Sequence, residues 1–145
     1  MLRAIVMGVE EPAPSRRVVE QRVRNRIIEY LDLAASYEEQ AEYEETAPAF
    51  VNVPYEVINQ WGDWVPIDPR TDAKHLSVFS AEEVRAMCEF QGVFDAVVKA
   101  VPNDFPTISD VQALPAWNHL RIAASQAGEV FAVRGKMPED DEVLG

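Results

Sequence analysis

The stretch "FSAEEV" constrains the fold of this chain more than any other part of the sequence. Ser80 followed three residues later by Glu83 is the pattern of a helix capping box, in which each side chain accepts a hydrogen bond from a backbone N–H of the other residue. The phenylalanine before the box and the valine after it occupy the positions of a hydrophobic staple. Apolar side chains then recur with helical period. The stretch therefore predicts an α-helix that begins at Ala81 and continues to at least Val98.

Two helices are predicted in the first part of the chain. A long helix over 15–35 is indicated by an apolar face made of Val19, Val23, Ile27, Tyr30, Leu31 and Ala34. Ser15 is a suitable cap for its first turn. Ser36 and Glu39 then fit a second capping box and open a short helix through "YEEQAEYEE".

A third helix is predicted after a proline-bounded connection. Pro48 ends the second helix, and the stretch "AFVNV" is either extended or a loop that packs Phe50 and Val53. Pro54 suits the first turn of the next helix, whose inner face is formed by Val57, Ile58 and Trp61. Glycine adopts the left-handed conformation that ends helices, so Gly62 is expected to stop this helix. A loop over 65–78 follows.

The second half of the chain is also helical in pattern. The helix that follows Ser80 has a broad apolar face consisting of Val84, Met87, Cys88, Phe94, Val97, Val98 and Val101. Ser109 and Asp110 begin a short turn of helix. Pro115 leads into a last long helix with Trp117 at the edge of its apolar face, which contains Leu120, Ala123, Ala124, Ala127, Val130 and Phe131.

Strand patterns are weak throughout the chain. Only "RAIVMGV" near the N-terminus is typical of a strand, and a single strand has no partner to pair with. The sequence therefore predicts an all-α, single-domain bundle of three long and two or three short helices, with at most one short N-terminal extended segment. We expect an extended or flexible segment over 1–14, one helical domain over 15–135, and an acidic tail over 136–145 that is mobile or held by a partner.

Composition and cysteine usage indicate the compartment. The chain of 145 residues is 48% hydrophobic and 26% charged, which is ordinary for one globular domain. A single cysteine cannot form an internal disulfide and favours a reducing environment. The apolar run near the N-terminus is short for a signal peptide and too short for a membrane span. We therefore expect a cytoplasmic protein.

The charge of the chain is divided unevenly along its length. The net charge is −12, yet residues 1–30 carry six basic and four acidic side chains, whereas residues 31–145 carry seven basic and twenty-one acidic ones. From Asp32 to Asp68 there are nine carboxylates and no lysine or arginine. A field of this sign repels nucleic acid and anionic membranes and accelerates encounter with a basic protein. The charge therefore predicts a basic protein partner and no nucleic-acid partner.

The basic residues near the N-terminus form no single stripe. "RRVVEQRVRNR" holds five arginines in eleven residues, but Arg22 and Arg26 fall on one flank of the helix and Arg17 and Arg24 on the other. They either pair internally, with the glutamates of the second helix as the favoured acceptors, or bind an anionic partner. We favour internal pairing, because phosphate binding relies on concentrated positive charge.

The chemistry of a catalytic or metal site is weakly represented. Two histidines, His75 and His119, lie forty-four residues apart and match no metal-binding spacing, so neither a metal nor a cofactor is expected. Cys88 lies in an apolar helical face, where a thiol is usually inert, and we expect it to be largely buried. His119 is expected at the edge of the core, and His75 in a loop without a visible acid or nucleophile.

Five residues are the candidate binding residues. Glu38, Glu42 and Glu45 share one face of the second predicted helix, in the region without basic residues. Trp61 is expected in the core. Trp64 and Asp63 combine an aromatic ring with a carboxylate, which is the composition of an interface anchor.

Three functions are compatible with these patterns. The first is a non-enzymatic acidic protein-binding domain, for example an inhibitor, whose size and charge are similar to those of immunity proteins that neutralise basic nuclease toxins. The second is a structural subunit whose helices pack against copies of itself in a homo-oligomer. The third is a small enzyme or ligand-binding domain that uses His75 or His119.

Overall fold

The computed structural model describes residues 13–71 and 77–143, which form six α-helices and no β-strand. In chain order they are α1 (Arg16–Ala34), α2 (Tyr37–Thr46), α3 (Val53–Trp64), α4 (Ala81–Ala100), α5 (Ile108–Gln112) and α6 (Pro115–Ala132). The prediction of an all-α bundle with three long and two or three short helices is confirmed. The stretch "RAIVMGV" lies outside the described residues.

The core lies between α1, α3, α4 and α6, and α5 adds two buried side chains, Ile108 and Val111. α4 packs along α6, α6 packs along α1, and α3 lies on α1. α2 and α5 contact each other, and each also contacts α3. The largest apolar side chains buried between the helices are Trp61, Trp117, Phe90, Phe131, Ile27, Leu31, Met87 and Leu120. Burial of these side chains provides the main free energy that stabilises the bundle.

Trp61 is a core residue, as the sequence predicts. Its ring centroid lies 4.6 Å from that of Phe90 and 5.6 Å from that of Tyr30. Its indole N–H donates to the Gln91 side-chain carbonyl at 2.7 Å, so burial leaves no donor unsatisfied. Trp61 therefore fixes the position of α3 against α1 and α4.

The prediction that Gly62 ends α3 is wrong. The helix continues through Gly62 to Trp64, and an added Cβ at Gly62 would meet no atom within 4 Å. Glycine inside a helix costs about 1 kcal/mol relative to alanine. That cost is offset here because continuing the helix brings Trp64 against the core, where its side chain is partly buried.

The helical period identifies the buried faces only to within one residue. In α1, Val18 is buried and Val19 is exposed, although the apolar pattern places Val19 on the buried face. In α4, Val97 is buried and Val98 is exposed, although the pattern places both on that face. Adjacent valines are about 100° apart around a helix, and the neighbouring helices decide which one faces inward. Trp117, expected at the edge, is fully buried.

An ion triad with two buried members and one partly exposed member joins three parts of the bundle. Arg24 of α1 donates to both carboxylate oxygens of Glu83, at 3.1 and 2.7 Å, and Arg134 beyond α6 donates to the same two oxygens at 2.6 and 3.1 Å. The Arg24 and Glu83 side chains are 0% and 1% exposed. Arg24 also lies over the Phe131 ring, 5.2 Å from its centroid. The triad therefore links α1 to the start of α4 and the end of α6.

The predicted capping box at Ser80 is present and belongs to the same network. The Glu83 N–H donates to the Ser80 hydroxyl at 3.1 Å, and the Ser80 N–H donates to the Glu83 carboxylate at 3.0 Å. Burial raises the pKa of Glu83, but hydrogen bonds from Arg24, Arg134 and the Ser80 amide outweigh burial and lower that pKa to about 2.

Loss of the Ser80 hydroxyl is expected to destabilise the protein by about 1 kcal/mol, because the first turn of α4 loses its side-chain cap. Urea unfolding of Ser80→Ala measures this change. Ser109→Ala is the matched control, since Ser109 is exposed within α5 and is not its N-cap. An equal loss of stability in both variants would contradict a specific role for the cap.

The Glu83 carboxylate is expected to give the protein a stability that is lost in acid. Its folded-state pKa of about 2 lies below the ordinary value of 4.5, so its contribution is complete above the ordinary value and declines as pH falls from there towards 2. The difference in unfolding free energy between wild type and Glu83→Gln should therefore be constant near neutral pH and shrink across this acidic range. Urea unfolding at a series of pH values measures the difference. Glu82→Gln, which removes a neighbouring exposed carboxylate, is the control, and a pH-independent difference for Glu83→Gln would contradict the assignment.

Candidate functional site

α2 has two faces with different chemistry. On the inner face the fully buried Gln40 donates to the carbonyl oxygens of Leu33 and Ala34, each at 3.1 Å, and accepts from the Trp117 indole at 2.9 Å. On the outer face lie three exposed glutamates, which we call the acidic stripe: Glu38, Glu42 and Glu45. Within residues 13–71 and 77–143, no ion pair involves any member of the acidic stripe.

Other residues of α2 anchor the helix and leave the acidic stripe available. Glu44 accepts from the Ile108 N–H at 2.8 Å, at the first turn of α5. Ser36 caps α2 by accepting from the Glu39 N–H at 3.1 Å. The Ser36 N–H donates to the Leu33 carbonyl at 3.2 Å and not to the Glu39 carboxylate, so the predicted second capping box is only half formed. α2 is thus attached through its inner face and its ends, and its outer face points to solvent.

Two exposed phenylalanines lie on connections between helices, Phe50 between α2 and α3 and Phe105 between α4 and α5. Phe50 is 90% exposed and Phe105 is 74% exposed. The segments that carry them are joined directly, because the Asn52 side-chain amide donates to the Pro106 carbonyl at 2.9 Å. The prediction that Phe50 packs is wrong, since the turn after α2 directs this ring to solvent. We call Phe50, Phe105 and the neighbouring Tyr55 the aromatic end.

Tyr55 holds Phe105 in an unfavourable backbone conformation. The Tyr55 hydroxyl accepts from the Phe105 N–H at 3.0 Å and donates to the Pro102 carbonyl at 3.1 Å. Phe105 has a φ of 58°, in the left-handed region that bulky side chains rarely adopt. Such strain costs about 1–3 kcal/mol and persists only where surrounding contacts enforce it. The sequence does not reveal the aromatic end, because the hydrogen bonds that form it join residues about fifty positions apart.

Asp63 and Trp64 lie at the C-terminal end of α3. Asp63 is exposed and Trp64 is partly buried. Together they line a mostly apolar hollow of about 280 Å³ between α1 and α3, whose other walls are Val19, Glu20, Val23, Ile27, Val65, Pro66, Ile67 and Phe79. Trp64 therefore packs against the core with part of its ring and forms the wall of an open hollow with the rest.

The five predicted binding residues fall into two groups. The acidic stripe lies on α2, and Asp63 with Trp64 lies beside α1. No hydrogen bond or cavity among the described residues connects the two groups. The aromatic end adjoins the α2 group, because the residues between α2 and α3 carry Phe50.

The arginines of α1 are paired internally, but not with the predicted acceptors. Arg24 is in the ion triad, and Arg16 pairs with Glu20. The other three contact the C-terminal segment: Arg17 donates to the Val143 carbonyl at 3.0 Å, Arg22 to the Glu139 carbonyl at 2.6 Å and Arg26 to the Glu139 carboxylate at 2.6 Å. The expectation that the glutamates of the second helix would accept them is therefore wrong. α2 packs at the C-terminal end of α1, through Gln40, and the arginines flank other parts of the helix.

His119 and Cys88 lie on different helices, α6 and α4. His75 lies outside the described residues. His119 is exposed and borders a shallow hollow whose other walls are Gly92, Val93, Ala96, Val97 and Ala116. Cys88 is partly buried, so it is more open than the sequence predicts. Within the described part of the chain, no group of three or more histidine, cysteine, aspartate or glutamate side chains is arranged to hold a metal ion.

Comparisons of the chain with protein-family models, with curated proteins and with solved structures find no match. Among the described helices, none combines the length and the apolar character that crossing a membrane requires.

Removing the Tyr55 hydroxyl is expected to loosen the aromatic end. Tyr55→Phe loses both hydrogen bonds to the 102–105 loop, which should cost about 1 kcal/mol and accelerate amide hydrogen exchange at Phe105. Thermal unfolding and exchange measured by NMR test both effects. Tyr43→Phe is the control, because it removes a hydroxyl from a partly buried tyrosine of α2. Unchanged exchange at Phe105 would contradict the role assigned to Tyr55.

Proposed function

We propose that this protein is a non-enzymatic protein-binding domain whose acidic stripe and aromatic end contact a basic protein partner. An inhibitor or immunity-type neutraliser of that partner is the specific form we favour. One observation carries the proposal: the arginines of α1 are occupied by internal acceptors, whereas the acidic stripe has no basic partner within the described residues. Within the described residues, α2 thus carries three exposed carboxylates on one outward face without an ion-pair partner.

Electrostatics explains what the acidic stripe would contribute. Like charges at helical spacing destabilise an isolated helix by a few tenths of a kcal/mol per pair, so the arrangement gives α2 no stability of its own. A field of negative charge on a convex surface raises the rate at which a basic protein encounters it. The stripe would therefore act mainly on association rate and on selection of a positively charged partner.

The aromatic end would contribute binding energy. Interface hot spots are enriched in large side chains that bury substantial area when the partner docks. Phe50 and Phe105 are exposed before any partner is present, and the Tyr55 hydrogen bonds fix the backbone of Phe105 in advance. Preorganisation of this kind reduces the entropy lost on binding.

Asp63 and Trp64 are a second contact region in this proposal. An exposed carboxylate beside an apolar hollow repeats the combination of charge and apolar area found at the aromatic end. The single cysteine supports a reducing compartment, and we therefore propose that the interaction takes place in the cytoplasm.

The alternative functions are less well supported at this surface. A homo-oligomer formed through the acidic stripe would place glutamates of two copies against each other, which is repulsive. An enzyme or ligand-binding site at His119 would need further polar groups, yet the other walls of its hollow are apolar side chains and glycine.

The experiment compares two charge-reversed variants with the same change in net charge. Glu38→Lys with Glu42→Lys alters the acidic stripe, and Glu89→Lys with Glu129→Lys alters exposed residues of α4 and α6. Each protein is immobilised to capture partners from a cell extract, and the captured basic protein is then purified for kinetics at low and high salt. We expect the stripe variant to keep its melting temperature and to associate about tenfold more slowly at low salt, with a smaller difference at high salt.

The control variant and an aromatic variant complete the test. Glu89→Lys with Glu129→Lys should bind like wild type, and Phe50→Ser should mainly increase the dissociation rate. A stripe variant that melts at a lower temperature yet binds every captured protein as wild type does would overturn the proposal, because the stripe would then serve the fold.

A further inference from the structure

A ladder of polar side chains on α1 holds the backbone of a non-helical segment of the same chain. We infer that this flank of α1 is a binding site for an acidic peptide in an irregular, extended conformation, and that residues 137–143 occupy it in cis. The site binds an acidic ligand on α1, so it is separate from the acidic stripe and does not rest on the proposed function.

The Asn25 side chain binds the backbone N–H and the backbone carbonyl of one residue of the segment, Met137. Its side-chain carbonyl accepts from the Met137 N–H at 2.8 Å, and its side-chain amide donates to the Met137 carbonyl at 2.8 Å. An amide side chain that brackets both polar groups of one peptide residue recognises extended backbone whatever the side chain of that residue. Asn25 is 1% exposed, so these hydrogen bonds are shielded from water.

Gln21 repeats this arrangement one helical turn earlier. Its side-chain amide donates to the carbonyl oxygens of Pro138 and Asp141 at 3.0 and 2.8 Å, and its side-chain carbonyl accepts from the Val143 N–H at 2.8 Å. Arg17, one turn earlier again, donates to the Val143 carbonyl. Arg17, Gln21 and Asn25 are spaced four residues apart and therefore lie in one row along the helix, with the segment running antiparallel to it.

The carboxylate of Glu139 is the side chain that the flank recognises. It accepts from Arg26 at 2.6 Å and from the Asn25 amide, and the Glu139 carbonyl accepts from Arg22 at 2.6 Å. These hydrogen bonds and the nearby guanidinium groups lower the pKa of Glu139 below its ordinary value, so the acid is held ionised. The site thus combines backbone recognition with a requirement for one acidic side chain.

The occupant contributes little apolar surface, which makes it replaceable. Pro138, Asp140, Asp141 and Glu142 are exposed, and Met137, Glu139 and Val143 are only partly buried. A segment attached mainly by hydrogen bonds and ion pairs gains modest net stability from each of them. Its advantage is covalent attachment, since a tethered segment competes at an effective concentration in the millimolar range. A second acidic peptide can therefore bind to this flank of α1 once the segment over 137–143 loses one of the hydrogen bonds or ion pairs that hold it.

The test uses the full chain with a weakened occupant. Glu139→Lys replaces the recognised carboxylate with a charge that Arg22 and Arg26 repel, and Met137→Pro removes the N–H that donates to Asn25. The probe is a fluorescent peptide of sequence KMPEDDEV, matching residues 136–143, with both ends blocked. We expect each variant to bind the probe at least about tenfold more tightly than wild type, whose own segment competes.

Three controls link binding to the ladder. Adding Asn25→Ala to Glu139→Lys should weaken probe binding by about tenfold, because three hydrogen bonds are lost. Adding Arg16→Ala, which alters an exposed arginine of α1 outside the row, should have little effect. A probe with lysine in place of its first glutamate should not bind, and binding of the normal probe should weaken as salt rises.

Amide exchange at Val143 reports whether the segment has left its site. Fast exchange without probe binding in both variants would overturn the inference, because the flank would then hold only its own covalently attached segment. Slow exchange in both variants would overturn it equally, since the segment would then be a fixed part of the fold. Sedimentation of wild type over a range of concentrations distinguishes the source of the ligand. If wild type forms a dimer and Asn25→Ala abolishes it, the ligand is the segment of a second copy. If wild type stays monomeric and the variants bind the probe, the ligand is a separate acidic peptide.

Discussion

The ion triad of Arg24, Glu83 and Arg134, in which the Arg24–Glu83 pair is buried, is the interaction on which the arrangement of the bundle depends. Removing charges from water costs several kcal/mol per ion, and this cost is recovered only with good geometry and complete hydrogen bonding. Glu83 meets that condition, because its two oxygens accept from both arginines and from the Ser80 N–H. Apolar packing tolerates small shifts of one helix along another, whereas these hydrogen bonds tolerate few. The triad therefore sets the register of α1 against α4 and α6.

The same network decides where the charge of the protein is exposed. Arg24 pairs with Glu83, Arg16 pairs with Glu20, and the other three arginines of α1 contact the segment over 137–143. α2 receives none of them and stays uncompensated on its outer face. The molecule thus has two polar surfaces of opposite character, an acidic one on α2 that is open and a basic one on α1 that its own chain covers.

Sequence reasoning succeeded where the signal was local. The capping box at Ser80, the extent of α4 and the inward position of Trp61 follow from neighbouring residues and from helical period, and the structure has all three. Predictions from the sequence were wrong where the neighbouring residues are compatible with two different conformations. Gly62 can end a helix or continue it, and the packing of Trp64 decided the outcome. The exposure of Phe50 and the strained backbone of Phe105 depend on contacts with distant residues, which no local pattern encodes.

The sequence by itself determined the helices, their approximate bounds and the excess of acidic charge, because capping, period and composition are properties of short stretches of chain. Only the tertiary structure decided which charges find partners. In the sequence Glu83 is the acidic residue of a capping box, three positions after Ser80, and the fold adds two arginines from positions 59 residues earlier and 51 residues later. Ion pairing requires two groups within about 4 Å, and that distance exists only after the helices have packed.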